Sequence, residues 1–197
     1  MTTAGLLLAA GAGRRFGLPK ALVPFDGELL VDRAVDTLRA AGCAPVVVVL
    51  GAAAPEVVTA ARLDGAVVVV NDAWAEGMGG SLRCGLTALS DLGAAAAIVA
   101  LVDQPGISPE LVRRLVAGRR DDVSAVVATY AGQPRNPVLL AASVWSDVAA
   151  SATGDTGARP WLRAHPDRVL EVACDDLGSA DDIDGPDDLI RLQEEHS

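Results

Sequence analysis

The residues best placed for chemistry are cations inside a glycine-rich segment near the N-terminus and carboxylates that follow apolar runs further on. The segment Leu8-Ala9-Ala10-Gly11-Ala12-Gly13-Arg14-Arg15-Phe16-Gly17-Leu18-Pro19-Lys20 carries glycine at three positions. Glycines clear side chains from places where backbone N–H groups approach phosphate oxygens, and Arg15 and Lys20 bring positive charge to the same loop. A phosphate cradle is the natural reading. Glycine spacing alone leaves a plain strand-to-helix turn at even odds, and the two cations in the loop of an acidic protein tip the balance. A Walker loop is excluded because GxxxxGK[ST] is absent. The dinucleotide fingerprint is a weaker match, since the third glycine is displaced, Pro19 interrupts the expected helix, and no acidic residue clearly ends the second strand.

Asp103 directly follows the apolar run at 97–102. A lone Asp there suits an Asx-turn or cap. Mg²⁺, which takes one or two carboxylates together with phosphate oxygens, is the other reading of that position, and for a lone Asp the turn or cap outweighs it. The acidic run at 181–188 contains Asp184 and, on charge alone, reads as a solvated turn leading into the last helix. Gly80 and Ser81 open another helix and offer N–H donors and a hydroxyl to a base or ribose, or simply cap it. Arg135 and Asn136 lie in a Gly/Pro-rich stretch that a turn between two strands also explains. Asp155 and Arg159 flank glycines before a helix and face a ligand or pair with each other. His165 reads as a helix-end cap and His196 lies in a terminal tail, so no histidine base is expected.

These residues need a scaffold. Short runs rich in Val, Ile and Leu recur at 5–8, 46–50, 66–70, 97–102, 124–129 and 168–172, and each reads as a strand buried on both faces. Amphipathic stretches at 30–41, 55–63, 80–89, 109–117, 141–149, 158–165 and 187–195 read as helices, with Ser108 as an N-cap before Pro109. The alternation predicts an α/β fold: a single doubly wound, mainly parallel sheet with helices on both faces, spanning 1–197 as one domain. Such sheets bind ligands beyond the carboxyl ends of their strands, where the glycine loop and Asp103 fall.

Composition narrows the partners. With 51% hydrophobic residues but only 3% aromatic ones, the chain suits helices packed tightly over buried strands. A net charge of −10 gives no general attraction to nucleic acid or anionic lipid, so neither is expected as a partner. A small anion remains compatible, because local cations and a metal can reverse the field at one site. Cys43, Cys84 and Cys174 lack metal-ligand spacing and read as reduced, mostly buried thiols. The apolar run at 5–12 has no basic leader and is too short to span a bilayer, so a cytoplasmic protein is expected.

The segment LAAGAGRRFGLPK resembles the signature loop of the MobA-like nucleotidyltransferases, LAAGxxxRxGxxK or LAGGxxxRxGxxK. Four further segments agree in order with that family: one similar to NxxxxxGxxxSLxxGL, VDQP after a strand, a GxxxxPV segment, and GDTGAR, similar to GDxGxR. The acidic run is similar to DIDTPEDL, with Gly185 in place of the Thr. The resemblance implies that Arg15 and Lys20 offset charge at the α-phosphate while Leu8, Ala9, Ala10, Gly11, Ala12 and Gly13 wrap the nucleotide. It implies that Gly80 and Ser81 border the nucleotide and that Asp103 and Asp184 hold Mg²⁺. Arg135, Asn136, Asp155 and Arg159 would face the acceptor.

The implied reaction moves a nucleoside monophosphate from an NTP to a small phosphorylated acceptor, with release of pyrophosphate. LAAG rather than LAGG favours CTP, which gives a molybdenum cofactor cytidylyltransferase whose product passes to a molybdoenzyme or its chaperone. The alternatives are a guanylyltransferase, a sugar- or polyol-phosphate nucleotidyltransferase, and a non-catalytic cofactor-binding accessory protein.

Overall fold

The computed structural model describes residues 2–195, so His196 lies outside the described residues. Seven strands form one sheet in the order β5 (Val67–Val70), β4 (Val46–Leu50), β1 (Ala4–Ala9), β6 (Ala96–Leu101), β8 (Gln133–Ala141), β7 (Ala125–Tyr130) and β9 (Val169–Ala173). Only β8 runs against its neighbours; the other pairings are parallel. A two-strand ribbon, β2 (Pro24–Phe25) with β3 (Glu28–Leu29), sits outside the sheet.

Helices cover both faces, and the period of two along each strand explains why. Leu7 and Ala9 of β1 join one core with Leu38 of α1 (Leu30–Ala40), Val57 of α2 (Ala54–Ala60), Leu111 of α4 (Pro109–Ala117) and Leu192 of α7 (Pro186–Glu195). Leu6 and Leu8 point the other way, toward Leu86 of α3 (Met78–Asp91), Val148 of α5 (Trp145–Ser151) and Trp161 of α6 (Arg159–Ala164). The doubly wound, mainly parallel α/β reading therefore holds. Ser108 caps α4 by accepting from Leu111 N at 3.1 Å, with Pro109 in its first turn.

Three expectations need correction. The runs at 66–70 and 168–172 are edge strands, not strands buried on both faces: Val67 and Val70 are 36% and 50% exposed, and β9 is at most half-buried. In the stretch at 132–138, the turn between two strands is confined to Ala131 and Gly132, and residues 133–138 belong to β8, a strand of nine residues. The helix expected at 141–149 starts four residues later, after β8 ends at Ala141. Pro134 and Pro137 hid the strand, since proline cannot donate to a ladder. Here the ladder with β6 begins only at Val138, while a register shift between Val127 and Ala128 accommodates residues 133–135 against β7.

The order around β1 fixes the place for a ligand. The chain leaves β1 toward β4 on one side and later returns to pair β6 on the other, which opens a crevice at their carboxyl ends. Val102 N donates to Leu8 O at 3.2 Å and keeps the two strand exits adjacent.

Candidate nucleotide and metal site

The glycine loop leaves the crevice directly after Ala9. Its bend is held by Phe16 N and Gly17 N, which both donate to Gly13 O at 2.8 and 3.1 Å. Gly13 has φ +57°, and a Cβ there would stand 1.9 Å from Leu18 O, so only glycine fits. Ala10 is buried, with its methyl close to Gly51 and Trp74. Gly11 is open to solvent, and Ala12 and Gly13 are half-buried.

After this bend a short 3₁₀ turn, Lys20–Leu22, points Lys20 back over the strand ends. Its Nζ donates to Asp103 Oδ2 at 2.6 Å and to Asp184 Oδ1 at 2.7 Å. Arg15 Nη1 lies 3.6 Å from Asp184 Oδ2, on a largely exposed side chain. Three segments distant in sequence thus meet at one ammonium. Burial alone would lower the Lys20 pKa, but the charge and hydrogen bonds of Asp103 and Asp184 outweigh it and raise the value. The Lys20 hydrogen bond, aided by charge from Lys20 and Arg15, holds Asp184 below the usual carboxylate range.

Asp184 arrives on a strap, residues 174–185, that has neither helix nor strand. Buried Ile183 anchors it, and Ile183 N donates to Asp103 O at 2.8 Å. Asp182, exposed on its outer side, accepts from Gln104 Nε2 at 2.8 Å. Its carboxyl is pushed up by burial and by the neighbouring charge of Asp103. No cluster of three or more His, Cys, Asp or Glu side chains converges on a metal position among the described residues.

The remaining candidates fall elsewhere in the structure. Ser81 is buried one turn into α3, where its hydroxyl accepts from Asn71 Nδ2 at 3.1 Å, and Gly80 packs against the same amide. The expected free N–H donors at that helix start are partly used: Met78 N donates to Asp155 Oδ1 at 3.2 Å and Gly79 N to Gly154 O at 2.8 Å. Asp155 thus caps α3 and forms no ion pair with Arg159, so of the two alternatives for these residues the mutual pairing does not occur. Arg135 and Asn136 sit at the start of β8, and the side chains of Arg135, Asn136 and Arg159 make no hydrogen bond or ion pair with any described residue. His165 closes α6, its Nδ1 2.9 Å from Trp161 O and its ring stacked on Trp161. Cys43 and Cys174 are buried and Cys84 half-buried; burial pushes the Cys43 thiol up to about 11.

Sequence reasoning missed two contributors. Neither Gln104 nor Asn71 stands out by residue type as a site candidate. No spacing pairs residue 104 with 182, and the segment similar to NxxxxxGxxxSLxxGL contains both Asn71 and Ser81 without showing that they touch, so only the fold shows these contacts.

A mainly parallel sheet with a glycine loop and charged cluster at its switch point defines a Rossmann-like nucleotidyltransferase fold. A search against protein families matches residues 5–169 to the MobA-like NTP transferase domain, so the chain belongs to that family. That match ends before the strap carrying Asp184. The nicotine blue oxidoreductase of Paenarthrobacter nicotinovorans is 40% identical over 95% of both chains. The molybdenum cofactor guanylyltransferase of Rhodobacter capsulatus is 33% identical over 72% of this chain and 76% of its own. The crystal structure of Rv0371c of Mycobacterium tuberculosis H37Rv in complex with manganese superposes with a TM-score of 0.81 at 31% identity, covering 98% of this chain and 99% of that one. No helix among the described residues is long and apolar enough to cross a membrane.

Proposed function

We propose that this chain transfers CMP from CTP to a phosphorylated acceptor of the molybdopterin class, releasing pyrophosphate, with Mg²⁺ as its cofactor. The observation that carries the reading is the Lys20 ammonium seated between Asp103 and Asp184 beside the glycine loop. An ammonium held between two carboxylates marks a position that attracts a cation, and hard oxygen donors suit Mg²⁺ or Mn²⁺ over softer ions. Two carboxylates suffice where phosphate oxygens complete the coordination. Asp103 and Asp184 would hold the ion, which when bound supplies positive charge against the phosphates.

The chain's own residues do the rest. Leu8, Ala9, Ala10, Gly11, Ala12 and Gly13 supply the wall and backbone donors around the nucleotide, with Gly80 and Ser81 behind its base or ribose. Lys20 turns from the carboxylates to the triphosphate, and Arg15, already exposed, reaches the same phosphates. The acceptor, faced by Arg135, Asn136, Asp155 and Arg159, attacks the α-phosphorus in line through a phosphate oxygen. The bond to the bridging oxygen breaks and its electron pair leaves with pyrophosphate, while Lys20 and Arg15 offset the developing charge. The product passes to a molybdoenzyme or its chaperone. One domain spanning 1–197 carries all these parts.

The preference for CTP rests on the LAAG form of the loop, with Ala10 where the LAGG form carries glycine. The Rhodobacter capsulatus relative favours GTP as the alternative. The test is pyrophosphate release with CTP, GTP, ATP and UTP, with and without Mg²⁺, against molybdopterin and simple phosphorylated acceptors. Release with CTP and molybdopterin is expected. Release only with GTP would overturn the base, and binding without release would favour an accessory carrier.

The Paenarthrobacter relative supports a second reading, an oxidoreductase acting on a compound like nicotine blue. Against it, β4 is followed by Gly51, Ala52 and Ala53, with no carboxylate to take the ribose hydroxyls of a dinucleotide. Oxidation of NADH or NADPH in the presence of nicotine blue decides between them.

A further inference from the structure

We infer that Gln104 is a positioning residue that sets the spacing of Asp103 and Asp184 by clamping the strap, an inference that rests on reading those two carboxylates as a cation site. Asp103 is fixed by the end of β6. Asp184 sits on the strap, with no helix or strand between residues 174 and 185; its side chain is 54% exposed, and it is held by Lys20 at 2.7 Å and by Asp188, whose Oδ2 accepts from Asp184 N at 3.0 Å. Something must hold the strap against the loop after β6.

Two of the contacts there are between backbones, Ile183 N to Asp103 O at 2.8 Å and Ser179 N to Gly106 O at 3.3 Å. The side-chain link is Gln104, whose Nε2 donates to Asp182 Oδ1 at 2.8 Å and to Ala180 O at 3.3 Å. Gln104 is only 7% exposed, and its Oε1 is buried with no hydrogen-bond partner among the described residues. An orphaned buried acceptor is costly, so an amide chosen for packing alone would be replaced by an apolar side chain of the same length. The donor half of that amide explains its presence.

The chemistry of residue 104 is also constrained. Asp182, two residues before Asp184, accepts from Gln104 and feels the charges of Asp103 and Asp184. A neutral donor at 104 restrains Asp182 without adding a charge that would compete with the bound cation, as a lysine would. A carboxylate at 104 would repel Asp182 and push the strap away.

The test is Mn²⁺ titration of the full chain by electron paramagnetic resonance, with thermal melting alongside. Gln104→Glu should weaken Mn²⁺ binding about tenfold, and Gln104→Met severalfold with an unchanged melting midpoint. Adding Asp182→Asn to Gln104→Glu rebuilds the hydrogen bond with its polarity reversed, and should restore binding to within about twofold of the parent. Should Gln104→Glu fail to fold, Gln104→Met decides alone. Parental Mn²⁺ affinity in the Gln104 variants, with loss in Asp184→Asn, would overturn the clamp and leave the cation site standing. A double variant no better than Gln104→Glu would also overturn it. Parental affinity in Asp184→Asn would overturn the two-carboxylate reading and this inference with it.

Discussion

The cluster around Lys20 and the acceptor-side candidates Arg135 and Asn136 at the start of β8 and Arg159 at the start of α6 are built on opposite plans. Around Lys20, charges from three distant segments are interlocked at 2.6 and 2.7 Å, and two of the three side chains are largely shielded from water. Arg135 and Arg159 extend into solvent without a carboxylate partner, and of the four acceptor-side candidates only Asp155 is engaged, at the start of α3. A preassembled cluster costs little reorganisation when charge develops, which suits the reacting phosphates. Unpaired exposed cations lose little by waiting in water, and they remain free for an anionic acceptor.

Lys20→Ala attacks the preassembled side and should have the largest effect, slowing pyrophosphate release about 10²–10³-fold in a chain that still folds. The same variant should bind Mn²⁺ more tightly than the parent when no nucleotide is present, because the competing ammonium is gone. Parental turnover would place the chemistry elsewhere. Asp103→Asn comes next, with the Mg²⁺ needed for half-maximal activity rising about tenfold or more; Asp184→Asn should rise less, since its carboxylate is already well solvated. Unchanged Mg²⁺ curves for both variants would sink the cation site.

The exposed side should respond differently. Arg135→Ala and Arg159→Ala should each raise the acceptor KM about tenfold, the worth of one charge-assisted hydrogen bond, while kcat stays within about twofold. A kcat loss as deep as that of Lys20→Ala would erase the contrast between the two regions. The smallest effect is expected from Ala10→Gly, which removes one buried methyl and should relax the preference for CTP over GTP by about five- to tenfold, the low end of the about 1–3 kcal/mol by which one methyl discriminates. Competition at equal nucleotide concentrations measures it, and a parental preference for GTP would overturn the cytidine reading.

Much of this protein was legible along the chain, because the information was local. The repeated Val/Ile/Leu runs specify strands, the amphipathic stretches specify helices, and the glycine loop after β1 marks the anion-binding end of a parallel sheet. Ser108–Pro109 announced the start of α4 through two neighbouring residues. The strand at 133–141 was masked by its own prolines, whose fit depends on a register shift in the partner strand.

Lys20, Asp103 and Asp184 could each be singled out by type and context, but their meeting could not be read from spacing. Residues 83 and 164 positions apart in sequence become neighbours only because β1 and β6 pair at the switch point and the strap folds back over both. The same holds for Gln104 and Asp182, and for Ser81, whose hydroxyl is engaged by Asn71. The sequence by itself determined which elements form and which residue types stand at their ends, because periodicity and turn chemistry act over a few residues. The tertiary structure alone decided which charges neutralise one another and which stay free, because electrostatic contacts act through space over a few ångströms regardless of their separation along the chain.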